Sequence, residues 1–242
     1  EPRLWGYYMF SSYFPVEKSE FTVKAPANVK LDYFKYGLAD DEVRFTEVKK
    51  GKYNIYKWSA DHLDKIQMSK GADGVLHTAP LLIIHVDAYE FNGKTTNILG
   101  NVEDLHNWYT KFLDGIDNGN NEDMQRMVDN IIAGKSTELE KVEAIYDWVQ
   151  QNIKYIAIED GLGGFRPRTS NTVFTRRYGD CKDMSNLIHN MLGLANIPSS
   201  LTWIGTTAIP YSHREVPTPM ADNHMICTYV NQGKYYFLDA TD

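Results

Sequence analysis

Near Asn101 the hydrophobic period of the chain changes, and that change limits the fold more than any other feature of its 242 residues. Before it, short runs rich in β-branched and aromatic residues alternate with turn signals: FTVKAP (from Phe21), EVRFTEV (from Glu42), KYNIYKW (from Lys52) and LLIIHVDAYEF (from Leu81). Such runs fit a pleated, half-buried surface. The stretches Lys49-Lys50-Gly51-Lys52 and Asn92-Gly93 supply turn chemistry beside them. A series of such runs over this length predicts a β-sandwich-like domain or a large open sheet.

Beyond Asn101 the period becomes helical. Leu105, Trp108, Tyr109 and Phe112 line one face; Met124, Met127, Val128, Ile131 and Ile132 line a second; Val142, Ile145, Tyr146, Val149 and Ile153 line a third. Thr137 with Glu140 forms a capping box that opens the third helix. The polar stretch Asp114 to Asp123 reads as a linker. We therefore expect an α+β chain: a β-rich domain over 1–115 and a helix-then-sheet domain over 116–242. The start at Glu-Pro-Arg and the stop at LDATD predict that both domains are pieces of a longer protein.

Charge narrows the function classes. Lys and Arg number 25 against 32 Asp and Glu, a net charge of -7, and no basic run appears, so the footprint of a nucleic-acid binder is missing. No apolar stretch reaches the roughly 20 residues that cross a bilayer. Two cysteines are too few for a disulfide framework.

One of them stands in an unusual place. In RRYGDCKDMSNLIHNMLGLANIPSS, Met184, Leu187, Ile188, Met191 and Leu192 mark the buried face of a helix, and Cys181 lies one turn ahead of it. Asp180 can cap this helix, and Asp183 suits its positive N-terminal end. A helix N-terminus or a neighbouring imidazolium lowers a thiol pKa from ~8.5 into the range ~3.5–7.5. The two aspartates oppose that shift, so a histidine has to supply most of it.

HMICTYV and KYYFLDA flank the turn Asn231-Gln232-Gly233. Folded as a hairpin, they pair residues whose numbers sum to about 463 to 465. His224 then lies opposite Asp239 or one diagonal step from it, on the strand face away from Cys227. A carboxylate there fixes the imidazole tautomer, as in a Cys-His-Asp triad, and the helix N-terminus offers N–H donors to an oxyanion. Each feature alone has a plain reading: a small buried thiol, a core or surface histidine, an aspartate bonded within its own turn. Their agreement favours a catalytic site.

The segments YGDCKDMSNLIHNMLGLANIPS, DNHMICTYV and YYFLDATD resemble the transglutaminase-like superfamily. The lead-in YDWVQQNIKYIAIEDGLGGFRPR is similar to that of bacterial members carrying an N-terminal β-rich domain. The resemblance implies a papain-like core in which Cys181 is the nucleophile, His224 the general base and acid, and Asp239 the orienting carboxylate. It also implies a peptide or protein substrate and a place in the bacterial periplasm or envelope. Cysteine-dependent acyl transfer follows, with hydrolysis ahead of cross-linking because water needs no second binding site. The alternative is a binding or envelope assembly module with a vestigial triad.

Other signals are weaker. AGKST from Ala133 imitates a phosphate loop, but Asp129 stands where its first glycine belongs. A calcium loop starting at Asp117 has Gly119 at a ligand position. The seven histidines show no zinc spacing. No metal and no cofactor is expected. Tyr178 and Trp203 either line the substrate cleft or pack in the core, His189 is a surface or packing residue, and Cys227 is buried and inert.

Overall fold

The computed structural model describes residues 4–37, 42–67, 74–116, 118–119, 121–157 and 161–241. The chain forms two compact units, Glu1–Trp108 with Gly205–Asp222, and Tyr109–Ile204 with Asn223–Asp242.

The first unit is built on β1 (Trp5–Met9), β2 (Val16–Pro26), β3 (Val29–Tyr36), β4 (Arg44–Lys50), β5 (Tyr53–Leu63), β6 (Leu81–Phe91) and β7 (Lys94–Asn97). One antiparallel sheet runs β1-β6-β3 with β7 also on β6, and a second runs β2-β5-β4. The β4–β5 hairpin turns at Gly51 (φ 62°). The β6–β7 hairpin turns at Asn92 (φ 50°) and Gly93 (φ 73°), left-handed positions that a two-residue hairpin loop requires. Residues of both sheets share one apolar cluster, with Phe21 and Trp58 from one and Tyr33 and Leu82 from the other.

Strand β6 is buried on both faces. Leu82 joins that cluster, whereas Leu81 and Ile83 pack with Tyr211, Val216 and Ala221 of the returning segment. Burial on both sides explains why the sequence there is apolar without alternation.

The helix α1 (Val102–Leu113) carries the chain across the change of unit. The second unit continues with α2 (Glu122–Ile132), α3 (Glu138–Asn152), β8 (Lys154–Tyr155), α4 (Ser170–Arg176), β9 (Tyr178–Gly179), α5 (Cys181–Leu194), β10 (Ser199–Ile204), β11 (His224–Asn231) and β12 (Lys234–Leu238). Both bonds of the Thr137–Glu140 capping box open α3. Met184, Leu187, Ile188, Met191 and Leu192 of α5 are fully buried against Val142, Ile145 and Val149 of α3 and against Cys227 and Tyr229 of β11. Each such side chain contributes roughly 1.5–3 kcal/mol through burial. The antiparallel sheet β10-β11-β12 lies behind α5.

Of the polar stretch before α2, Asp117 and Asn120 lie outside the described residues. Asn118 Oδ1 accepts from the Ser170 N–H at 2.9 Å and from Asn186 Nδ2 at 3.1 Å, and Asn121 caps α2. The stretch is thus fastened within the second unit. Among the described residues no helix is long and apolar enough to cross a membrane, which leaves β-barrels unaddressed.

Candidate active site

Cys181 is the first residue of α5 and is 3% exposed. The turn that presents it is held by reciprocal caps. Asp180 Oδ1 accepts from the N–H groups of Lys182 (3.0 Å) and Asp183 (3.2 Å), and Asp183 Oδ2 accepts from the Asp180 N–H (3.0 Å). The Met184 N–H donates to the Asp180 carbonyl. The N–H groups of Lys182, Asp183 and Met184 are thus all taken up by Asp180.

The two carboxylates do not stand as bare charges beside the thiol. Lys182 Nζ bonds Asp180 Oδ2 at 2.8 Å, with both side chains 2% exposed. Arg168 clamps Asp183 through its backbone N–H (2.7 Å), Nε (2.9 Å) and Nη2 (2.5 Å). Burial pushes the Asp180 carboxyl up, and the Lys182 ammonium works against that rise. Each aspartate is thereby matched by a cation, which removes most of the repulsion that the bare sequence implies for a thiolate.

His224 opens β11, where it pairs with Ile204 of β10. Its Nε2–H donates to Asp239 Oδ2 across 2.8 Å, leaving Nδ1 as the other ring nitrogen. The β11–β12 register puts Cys227 opposite Leu238, so Asp239 falls on the diagonal from His224, within the range expected. Asp239 is itself braced: Oδ1 accepts from the Thr241 Oγ1–H (2.7 Å) and N–H (3.2 Å), and Tyr146 of α3 donates to its carbonyl at 2.7 Å. Burial alone would raise the Asp239 carboxyl, but the bonds from Thr241 and His224 outweigh it and hold the carboxyl below its ordinary value. Ser185, one turn along α5 from Cys181, bonds the Met225 carbonyl at 2.9 Å. That bond fixes the cysteine end of the helix beside the histidine end of the strand.

Tyr178 lies in β9 with the Arg168 guanidinium 5.0 Å over its ring. Trp203 stacks on Tyr109 at 4.8 Å with Phe165 beyond, on the sheet face of Met225 rather than that of His224. Cys227 is wholly buried, and burial drives its thiol up to about 11. His189 Nδ1 bonds Ser199 Oγ at 2.9 Å and is partly buried. Arg168, Tyr146, Ser185 and Thr241 were not legible in the sequence as site residues. Arg168 comes from the irregular loop before α4, whose length alone marked it as a candidate lining.

Residues 125–238 match the profile of the transglutaminase-like superfamily, so the resemblance read from the motifs is borne out there; the match does not extend into the β-rich part. No curated protein matches the chain. A candidate protease from Parabacteroides distasonis, 16% identical, superposes with a TM-score of 0.72 over 99% of this chain and 44% of that one. The likeness is one of fold, and this chain spans less than half of that protein's length. A candidate cysteine protease from Cytophaga hutchinsonii is 15% identical, with a TM-score of 0.41 over 98% of this chain and 74% of that one. The periplasmic domain of TgpA from Pseudomonas aeruginosa is 10% identical, with a TM-score of 0.35 over 96% of this chain and 75% of that one. Likeness at these two scores carries no weight for fold or function.

Proposed function

From a chain whose residues 125–238 belong to the transglutaminase-like superfamily, we propose a cysteine-dependent acyl-transfer enzyme with Cys181, His224 and Asp239 as its triad. The observation that carries this reading is the 2.8 Å bond from His224 Nε2 to a carboxylate that also accepts two bonds from Thr241, in a residue whose carbonyl Tyr146 holds, at the end of the sheet tied by Ser185 to the cysteine helix. A histidine needs no such bracing for packing, but an orienting role requires it.

In the proposed reaction His224 Nδ1 takes the thiol proton and the Cys181 thiolate attacks the amide carbon. The resulting oxyanion meets the Cys181 N–H. Collapse breaks the C–N bond, and the imidazolium gives its proton to the leaving amine. A thioester remains. Water, deprotonated by the same ring, attacks it and releases a carboxylic acid and the thiol. Hydrolysis is favoured over cross-linking because a second amine substrate would need its own site. A peptide or protein amide is the substrate class, and an envelope location rests on the family resemblance. The two sheets of the first unit are read as a β-sandwich, which in this proposal presents substrate or docks the catalytic half against another protein.

Iodoacetamide labelling of the folded protein across about pH 5 to 9, followed by peptide mapping, tests the reading. Rapid labelling of Cys181 well below about pH 8, lost in His224→Ala, is expected. Labelling of Cys181 that is slow below that pH, or unaffected by His224→Ala, sinks the triad and leaves the binding module. A panel of peptide and glutamine-amide substrates then separates hydrolysis from transfer.

A further inference from the structure

One face of β6 changes character along its length. Leu81 and Ile83 are covered by Tyr211, Val216 and Ala221, but two residues farther on the same face carries His85, directly opposite Asp32 of β3. Here a cavity of about 300 Å3 opens within the first unit, lined by Asp32, His85, Gly100, Asn101, Arg214 and Pro217 among others. His85 is 4% exposed, and among the described residues neither of its ring nitrogens has a hydrogen-bond partner. Leaving a buried polar group unpaired costs about 1–3 kcal/mol, so a partner inside the cavity would relieve that cost at His85.

The charge pattern says what could fill it. Burial holds the His85 imidazole below its ordinary pKa, with the Asp32 and Asp87 carboxylates pulling the other way. A neutral ring offers one donor and one acceptor. At the cavity wall, exposed Asp32 and exposed Arg214 carry opposite charges, and among the described residues no ion pair joins them or occupies Arg214. Glu215 is occupied differently, its Oε2 accepting from Ser212 N–H at 2.9 Å and Ser212 Oγ at 2.8 Å. A simple anion would meet Arg214 but be repelled by Asp32 and Glu215; a simple cation would leave Arg214 unused. Among the described residues no three His, Cys, Asp or Glu side chains converge as a metal site.

We infer that this cavity binds a small zwitterion of the α-amino acid class, its carboxylate on Arg214, its ammonium on Asp32, and one of these two groups also bonded to His85. The volume suits that size, standing at the small end of ligand pockets. The site lies wholly in the first unit and is independent of the chemistry proposed for Cys181.

The full chain, 15N-labelled at histidine, is titrated with L-alanine, L-glutamine and L-glutamate, and with acetate and methylammonium as single-charge controls. The His85 ring signal is assigned from its loss in His85→Gln. A saturable shift of that signal with an amino acid is expected, at least about tenfold weaker for either control and for Arg214→Ala or Asp32→Asn. Both substituted side chains are exposed, and unchanged thermal unfolding of the variants confirms that they fold. No response to any of the three amino acids up to about 10 mM means that water alone fills the cavity and overturns the inference. Acetate binding as well as the amino acids, or a response unchanged in Arg214→Ala, overturns it equally.

Discussion

Replacing Asp183 by Asn tests the idea that the first turn of α5 is held by a buried ion pair rather than by packing. The carboxylate is 2% exposed and accepts from Arg168 N, Nε and Nη2 and from the Asp180 N–H. Asn keeps the volume but removes the charge and turns one acceptor into a donor facing a guanidinium. Breaking one side of a buried pair costs about 3–5 kcal/mol. The Arg168 side chain is 26% exposed, so water reaches the orphaned cation and the expectation sits at the low end, about 3 kcal/mol. For a unit of this size that is a fall in Tm of about 10 °C. Urea and thermal unfolding of Asp183→Asn, Arg168→Met and the double variant form the assay. The double variant should lose less than the sum of the singles by about 2 kcal/mol. A single-variant loss below about 1 kcal/mol, or strict additivity, would refute the reasoning.

Three further outcomes follow from geometry. Thr241→Val deletes the 2.7 Å bond to Asp239 Oδ1 while keeping the backbone bond, so kcat should fall about tenfold with KM unchanged; an equal rate would show that Thr241 does not position the carboxylate. The bond that His213 donates to Asp222 raises the His213 pKa against burial, so His213 stabilises the fold fully below about pH 6.5 and less as pH rises through its folded value. Urea midpoints of wild type minus those of His213→Gln should accordingly shrink between about pH 6 and pH 8.5, and a constant difference would discount the pair. Gly179→Ala places a Cβ 2.6 Å from the Asp183 Cβ, so a loss of about 1–3 kcal/mol is expected in the same unfolding assay.

Elements with strong periodicity were legible in advance, and contacts between distant segments were not. The β-branched and aromatic runs around Phe21, Phe45, Ile55 and Ile83 lie in β2, β4, β5 and β6, and the five apolar residues of α5 face the core. Strands β1, β3 and β7 escaped notice, β7 because four residues carry too little pattern. The seven-residue α4 is hidden in an irregular loop for the same reason. Hairpin arithmetic brought Asp239 to His224 because a strand register is a local property. The Arg168 clamp spans 15 residues with no repeating spacing, and the Lys182–Asp180 pair depends on burial that composition does not reveal. Nothing in the proline-punctuated run from Gly205 to Asp222 announces that it packs on Leu81 and Ile83.

That run makes each unit discontinuous in sequence. The chain leaves the second unit after Ile204, completes the core of the first and returns with Asn223, one residue ahead of His224. No single peptide-bond cleavage releases either body intact, and a truncation at the α1 boundary would strip the first of its covering strap. A single crossover at any position therefore cannot exchange one body whole while leaving the other untouched.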